Sequence, residues 1–168
     1  MAQILFVVLA TVAIAAALGM LISRNPVASA LWLVLELFCI AGLYLTLNAQ
    51  FIAVVQVLVY AGAIMVLFVF VIMLLNLTAL PRLPHFDWRR LVGFLAGMAI
   101  LVQLVYVLAT GLDALPAQVS SEQSAVTGSA QQIAGELFTR FAMPLEMIGV
   151  LLLAATIGAV LLAKRKLT

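Results

Sequence analysis

The sequence predicts an all-α membrane protein with five transmembrane helices. Hydrophobic residues make up 67% of its 168 residues and charged residues only 8%, with a mean hydropathy of +1.33. A water-soluble domain of this size could not bury so much apolar surface. The apolar residues form repeated runs of about 20, the length of a transmembrane helix, rather than alternating strands of about 10. We therefore expect a single transmembrane domain over residues 1–168.

The first span covers about Gln3–Ile22. A cleaved secretory signal peptide is the competing interpretation, because the alternating alanines in residues 13–17 could mimic a cleavage site. No Lys or Arg precedes this apolar run, whereas Arg24 follows it. The reversed charge order favours a retained helix with its N-terminus outside.

Spans two and three are predicted to form an antiparallel hairpin. Asn25-Pro26 breaks the chain, and Pro26 is suited to open span two, about Val27–Leu47. The short polar stretch Asn48–Gln50 then leads into span three, about Phe51–Leu75. Span three carries no formal charge and is long enough to cross the bilayer.

The second half of the chain contains two further spans and the only long polar region. A loop at Leu77–Arg90 precedes span four, about Leu91–Leu112. The polar region Asp113–Ala142 follows, and Pro144 is predicted to open span five, about Leu145–Ala163.

A short interfacial helix is predicted before span five. Ser129 and Gln132 have the spacing of a capping box, and Ile133, Leu137 and Phe141 recur every four residues. A capped helix with one apolar stripe is typical of a segment that lies on the bilayer surface.

The basic residues indicate the orientation of the chain. With the N-terminus outside (periplasmic), Arg24, the Leu77–Arg90 loop and the C-terminal residues 164–166 face the cytoplasm, and Arg140 alone faces outward. Seven of the eight basic residues then lie inside, which is the positive-inside pattern. The basic clusters therefore indicate topology, and no nucleic-acid partner is expected.

Span three contains polar and small residues at mid-helix. Gln56 and Tyr60 are four apart and share one helical face. They are explained either by interhelical hydrogen bonds or by membership of a proton path. Directly after Tyr60 come Ala61, Gly62 and Ala63. These small residues favour close packing of a neighbouring helix or a π-bulge, and the spacing alone leaves both open.

Two carboxylates lie within the spans. Glu36 is near the middle of span two, where an acid is costly and often belongs to a proton or ion path, although a structural acid is the alternative. Glu36 and Gly62 are each 13 residues from Ala49, so the hairpin places them at equal depth and contact between them is a hypothesis. Glu146 lies near the start of span five, where the helix N-terminus favours an acid.

The residues that would hold a redox centre are scarce. The chain has one cysteine, Cys39, and one histidine, His85, too few for an iron–sulfur cluster or a closed zinc site. Cys39 is expected to be a small core residue. Two intramembrane acids also cannot form a continuous relay across about 30 Å, so the chain alone is not expected to be a complete proton channel.

The run VVQVLVYAGAIMVLFVFVIMLLN in span three resembles the third transmembrane helix of a known family. This family is the J subunit of proton-pumping NADH:quinone oxidoreductase (respiratory complex I), the counterpart of mitochondrial NADH dehydrogenase subunit 6. Asn25-Pro26, AGLYLTLNAQF and ELFTRFAMPLEMIGVLLLAATIGAVLLAKR are also similar to the family pattern. The resemblance covers roughly half of the chain.

The resemblance implies a non-redox membrane-arm subunit of an H⁺-translocating enzyme in the bacterial plasma (inner) membrane. NADH, FMN, iron–sulfur clusters and quinone would be bound by other subunits. The implied partners are the A-, H-, K- and N-type membrane subunits and the lipid bilayer.

The resemblance also implies a switch in span three. A π-bulge near Tyr60–Ala63 would interconvert with a regular helix and gate a water path between the quinone site and the membrane carboxylates, with Val66 and Phe68 rotating. Some relatives have a glutamate where this chain has Gln56. Since a glutamine side chain does not gain or lose a proton by ionisation at ordinary pH, Glu36 or an acid of a partner is expected to act there instead.

Two other functions remain open on the sequence alone. A small homo-oligomeric ion or solute transporter could use Glu36 at the midplane, but the odd number of spans and the lack of an evident repeat argue against it. A purely structural scaffold subunit is the third alternative. Co-purification with flavin and iron–sulfur centres would separate the respiratory subunit from the transporter.

Overall fold

The computed structural model describes residues 1–75, 88–111 and 121–164, and within these ranges it contains helices and no strand. Five of the helices are long and apolar enough to cross a membrane, which confirms the predicted fold class. Most of the predicted Leu77–Arg90 loop, the end of span four at Leu112 and the last four residues lie outside the described ranges.

The first two spans are the helices α1 (Ala2–Ile22) and α2 (Pro26–Thr46). Pro26 is the first residue of α2, where its missing N–H costs no helical hydrogen bond. The Asn25 side chain caps this helix, because its Oδ1 accepts the Val27 N–H at 2.9 Å. The Asn-Pro pair therefore starts span two as predicted.

Close contacts join α1 to α2. A Cβ at Gly19 would lie 2.8 Å from the Trp32 ring, so only glycine lets the two helices approach here. The Ser29 hydroxyl donates to the Met20 carbonyl at 2.9 Å, which adds a hydrogen bond between the helices. Small residues that admit a bulky partner are a common means of helix association in membranes.

The turn after α2 is a Schellman motif with asparagine in the usual glycine position. Asn48 has a φ of 60°, in the left-handed region that Asn tolerates better than most residues. The Ala49 N–H donates to Tyr44 O at 2.9 Å and the Asn48 N–H donates to Leu45 O at 3.1 Å. This turn fixes the exit of span two and the entry of span three.

Span three is one continuous helical rod with a change of register in its middle. It consists of α3 (Gln50–Val55), a π-helical segment (Gln56–Ile64) and α4 (Met65–Leu74). All three parts pack against α2.

The remaining helices are α5 (Trp88–Gly111), α6 (Ser121–Thr127), α7 (Ala130–Thr139) and α8 (Ala142–Ala163). α7 is the predicted short helix, capped by Ser129, whose Oγ accepts the Gln132 N–H at 3.3 Å. The sequence analysis did not predict α6. α8 begins at Ala142, so Pro144 lies inside its first turn rather than before it.

The core lies among α1, α2 and span three. The buried hydrophobic residues of the described ranges all belong to these elements, and most are alanines: Ala16, Ala30, Cys39, Ala41, Ala53, Ala61 and Met65. Cys39 is thus a core residue, as predicted. The most apolar windows of α5 and α8 contain no buried residue, and the main packing partner of α8 is α7.

Candidate functional site

The π-helical segment Gln56–Ile64 is the most unusual backbone feature of the described chain. At its end the Met65 N–H donates to Tyr60 O, a bond that spans five residues instead of four. Such segments are rare and are frequent at functional sites. The structure therefore contains the bulge that the family resemblance implied near Tyr60–Ala63.

Gly62 stands within this segment in an open position. Apart from its own local backbone, a Cβ there would meet only the Val57 carbonyl oxygen, at 3.2 Å. That oxygen belongs to the residue five positions earlier, so this close approach is a property of the π register. The neighbouring Ala61 is 7% exposed, and it provides the close packing that the spacing also allowed.

The wider turns of the π-helical segment keep the buried residues of span three closer to one side of the helix. Ala53, Ala61 and Met65 are its buried residues. In a regular helix of about 100° per residue, Met65 would lie about 120° around the axis from Ala53. The π-helical segment reduces this drift because it contains more residues per turn. Both ends of span three can therefore keep a small or flexible side chain against α2.

Other predicted site residues face away from this chain's own core. Tyr60 is 49%, Val66 65% and Phe68 45% exposed, and Gly62 and Ala63 are exposed as well. A membrane helix that presents such a surface must meet lipid or a protein partner.

The polar side chains of the π-helical segment are those of Gln56 and Tyr60. Gln56 is half-buried and Tyr60 exposed, and neither side chain hydrogen-bonds to a residue in the described part of the chain. The hydrogen bonds between spans that the sequence analysis considered are therefore not made within these ranges.

Glu36 does not contact Gly62. No atom of Glu36 lies within 4 Å of a Cβ built at Gly62, so equal depth does not bring the two residues together. A groove of about 480 Å³ between α2 and span three is lined on the α2 side by residues from Phe38 to Leu45. Glu36 lies about 160–180° around α2 from Phe38 and Leu45, although it is half-buried.

Glu146 lies apart from these residues on α8. It is exposed, and it borders a shallow cavity of about 330 Å³ with Met143, Met147 and Val150. Because α8 begins at Ala142, Glu146 is in the second turn, where the helix dipole stabilises an acid less than in the first.

The described residues show no cluster of metal-ligating side chains. They contain no group of three or more His, Cys, Asp or Glu side chains that could hold an ion. The buried Cys39 thiol stands without a second cysteine in the chain, and His85 lies outside the described ranges.

The sequence analysis missed a backbone contact near the start of span three. Gly128, between α6 and α7, packs against Asn48 and Ala49. A glycine directly before a predicted N-cap serine was visible in the sequence, but nothing local identified its distant partner.

Fold and site together define a class: a multi-pass helical membrane protein whose third span carries a π-helical segment. Comparison with known proteins identifies the family within this class. The family model for NADH-ubiquinone/plastoquinone oxidoreductase chain 6 matches residues 16–162.

Similar proteins span nearly the whole chain. NADH-quinone oxidoreductase subunit J of Rhodobacter capsulatus is 35% identical over 97% of this chain and 82% of its own length. NAD(P)H-quinone oxidoreductase chain 6 of Leptolyngbya boryana is 38% identical over 96% of this chain and 79% of its own length. The chloroplast subunit 6 of Physcomitrium patens is 35% identical. The chain belongs to the subunit J/chain 6 family of quinone oxidoreductases.

Proposed function

We propose that this chain is a non-redox, membrane-arm subunit of a proton-translocating NADH:quinone oxidoreductase, in which span three gates a water path. The path would connect the quinone site to the membrane carboxylates. The observation that carries this proposal is the π-helical segment Gln56–Ile64 in the middle of an uncharged span.

The segment can act as a gate because two registers of one helix are close alternatives. A conversion from π to α across Gln56–Ile64 rotates α4 relative to α3 by about one residue position, about 100°. In the π form, three residues of α4 lie against α2: Met65, which is buried, and Val69 and Ile72, which are half-buried. After the rotation, the residue before each of them would take its place, so these positions would be held by Ile64, Phe68 and Val71.

This rotation changes what span three presents to its neighbours. Phe68 would turn toward α2, and Val66 would turn by the same angle on the outer face. When one large side chain replaces another beside a hydrophobic path, the width of the path changes, and the path becomes open or closed to water. A gate of this kind needs two states within a few kcal/mol of each other.

Other parts of the enzyme would supply the electron chemistry. NADH, FMN, iron–sulfur clusters and quinone would bind to other subunits, and the exposed faces of α5 and α8 would meet membrane subunits of the A, H, K and N types and lipid. The complex would lie in the bacterial plasma membrane with the N-terminus of this chain outside. Glu36 is the titratable group of this chain that we assign to the proton path, with Gln56 and Glu146 as polar support.

The test is a Gly62→Leu substitution in the intact complex. Leucine is a better helix former than glycine by about 1 kcal/mol, and its Cβ would lie 3.2 Å from Val57 O in the π register. Both effects favour the regular helix. We expect the protein to insert and assemble while proton pumping coupled to quinone reduction falls severalfold in membrane vesicles.

The matched control is Gly135→Leu in α7, since a Cβ at Gly135 meets nothing within 4 Å. This variant adds the same side chain to a helix that the proposal does not place against another subunit, and it should keep normal pumping. Normal pumping by the Gly62→Leu complex would overturn the gate and leave a structural scaffold as the function of this chain.

A further inference from the structure

The start of span three is held by a segment that lies almost 80 residues further along the chain. Gly128 joins α6 to α7, and a Cβ at this position would overlap the Asn48 carbonyl oxygen and lie 3.0 Å from Ala49 Cα. The backbones of the two turns are therefore in direct contact, with no room for any side chain at Gly128.

The contact also provides a hydrogen bond to the end of a helix. The Phe51 N–H, in the first turn of α3, donates to Gly128 O at 3.5 Å. The N-cap residue Ala49 has no side chain to accept such a donor, and the first N–H groups of a helix lack partners within it. Gly128 thus takes part of the role of an N-cap for span three.

Ser129 stabilises the other side of the same junction through two hydrogen bonds. The Ser129 hydroxyl donates to Val126 O at 2.7 Å and accepts the Gln132 N–H at 3.3 Å, which fixes the α6–α7 corner. α7 packs in turn against α8. A continuous series of contacts therefore leads from span five through α7 and Gly128 to the first turn of span three.

We propose that Gly128 is a positioning residue that anchors the outer end of span three, so that the register change rotates α4 and leaves α3 in place. A helix that changes register must rotate one end relative to the other, and the anchored end stays fixed. The Schellman turn at Asn48 and the Gly128 contact both hold α3, and the π-helical segment begins at Gln56, five residues after Phe51. This inference rests on the proposed gate for its mechanism, but the anchor itself is tested separately.

The experiment is hydrogen–deuterium exchange on the intact complex in lipid nanodiscs, with Gly128→Ala and Gly128→Val compared with the wild-type protein. Any Cβ at Gly128 must push the two turns apart. We expect the rate of amide exchange in residues 50–55 to rise about tenfold or more. A tenfold rise corresponds to a free energy of local opening that is lower by about 1.4 kcal/mol. The α1–α2 pair should keep its protection.

The matched control is Gly135→Val within α7, where a Cβ meets nothing within 4 Å. It should leave exchange in residues 50–55 unchanged. Unchanged exchange there in both Gly128 variants, or an equal rise in the Gly135 variant, would overturn the anchor. If Gly128→Val does not assemble, the smaller Gly128→Ala decides the question.

A second measurement distinguishes positioning from general stability. For equal amounts of assembled complex, Gly128→Ala should lower the number of protons pumped per NADH oxidised while quinone reduction is retained. An equal loss of both rates would indicate a structural role only. The gate fails if Gly62→Leu pumps normally, whereas the anchor fails if exchange at 50–55 does not respond.

Discussion

Gly62 is the residue on which the proposed change of register in span three depends most directly. It has no side chain in the path of the Val57 carbonyl, which lies 3.2 Å from the Cβ position. Glycine also lowers the preference for a regular helix by about 1 kcal/mol relative to alanine. Both properties make the π register accessible at this position, which is why Gly62 carries the central substitution of the proposed gate.

Glu36 is the residue whose role the sequence leaves most open. We expect Glu36→Gln to lower coupled proton pumping severalfold, because the amide retains the size of the side chain but cannot take up or release a proton as a carboxyl group does. The measurement is the initial rate of vesicle acidification at matched expression. Gly135→Leu again serves as a control for assembly, and unchanged pumping by the Glu36→Gln complex would reduce Glu36 to a structural group.

The residues also show where sequence reasoning reaches its limit. Counting from the turn placed Glu36 and Gly62 at one depth, but the rotation of each helix decides contact, and the two residues do not touch. By contrast, Pro26 and Ser129 have the predicted local roles, as the first residue of α2 and the N-cap of α7, whereas the side-chain cap by Asn25 was not predicted. Caps depend on a few adjacent residues, so the sequence suffices for them.

At the scale of elements, the α1–α2 pair is held by contacts that any side chain at Gly19 would disturb. Gly19→Val should destabilise the packing of α1 on α2 by about 1–3 kcal/mol, because the added side chain overpacks against Trp32. The accessibility of the buried Cys39 thiol, which belongs to the only cysteine of the chain, measures how far this packing loosens. We expect its alkylation by a maleimide in assembled complexes to accelerate about fivefold or more.

The control for this prediction is Gly93→Val, because a Cβ at Gly93 has nothing within 4 Å. It adds the same β-branched side chain to a helix that packs little on the others. Equal alkylation rates in the two variants would show that the Gly19 contact does not hold α1 to α2.

The hydrophobic runs predicted the helices of the five spans well, because length and apolarity are properties of a continuous segment. The register within span three did not follow from the run itself. Ala61–Ala63 is compatible with close packing and with a π turn, and the structure has both, with Ala61 buried and Gly62 in the wide turn. The register therefore depends on packing against α2 as well as on the local conformational freedom of Gly62.

For the whole molecule, one contact agrees with the relative topology that the number of spans predicts. Because Gly128 packs on Asn48, the α2–α3 turn and the α6–α7 corner lie on the same side of the membrane. A sequence of separate spans cannot reveal such a contact, since its two residues are far apart in the chain. Which side faces outward remains a prediction from the basic residues.

Cysteine labelling tests this orientation. In a Cys39→Ala background, Gln131→Cys in α7 should react with a membrane-impermeant maleimide in intact spheroplasts. Ser23 follows the C-terminal end of α1, which is predicted to face the cytoplasm. Ser23→Cys should therefore react only in inverted vesicles. The opposite pattern would place the N-terminus inside and contradict the positive-inside assignment.

The measurement that tests the account most directly is cryo-electron microscopy of the assembled complex at rest and during NADH turnover. We predict two classes. One should have the π-helical segment Gln56–Ile64 with Met65 against α2, and the other a regular helix with Ile64 and Phe68 turned into that position. A single π register in every class, while the same sample pumps protons, would contradict the gate.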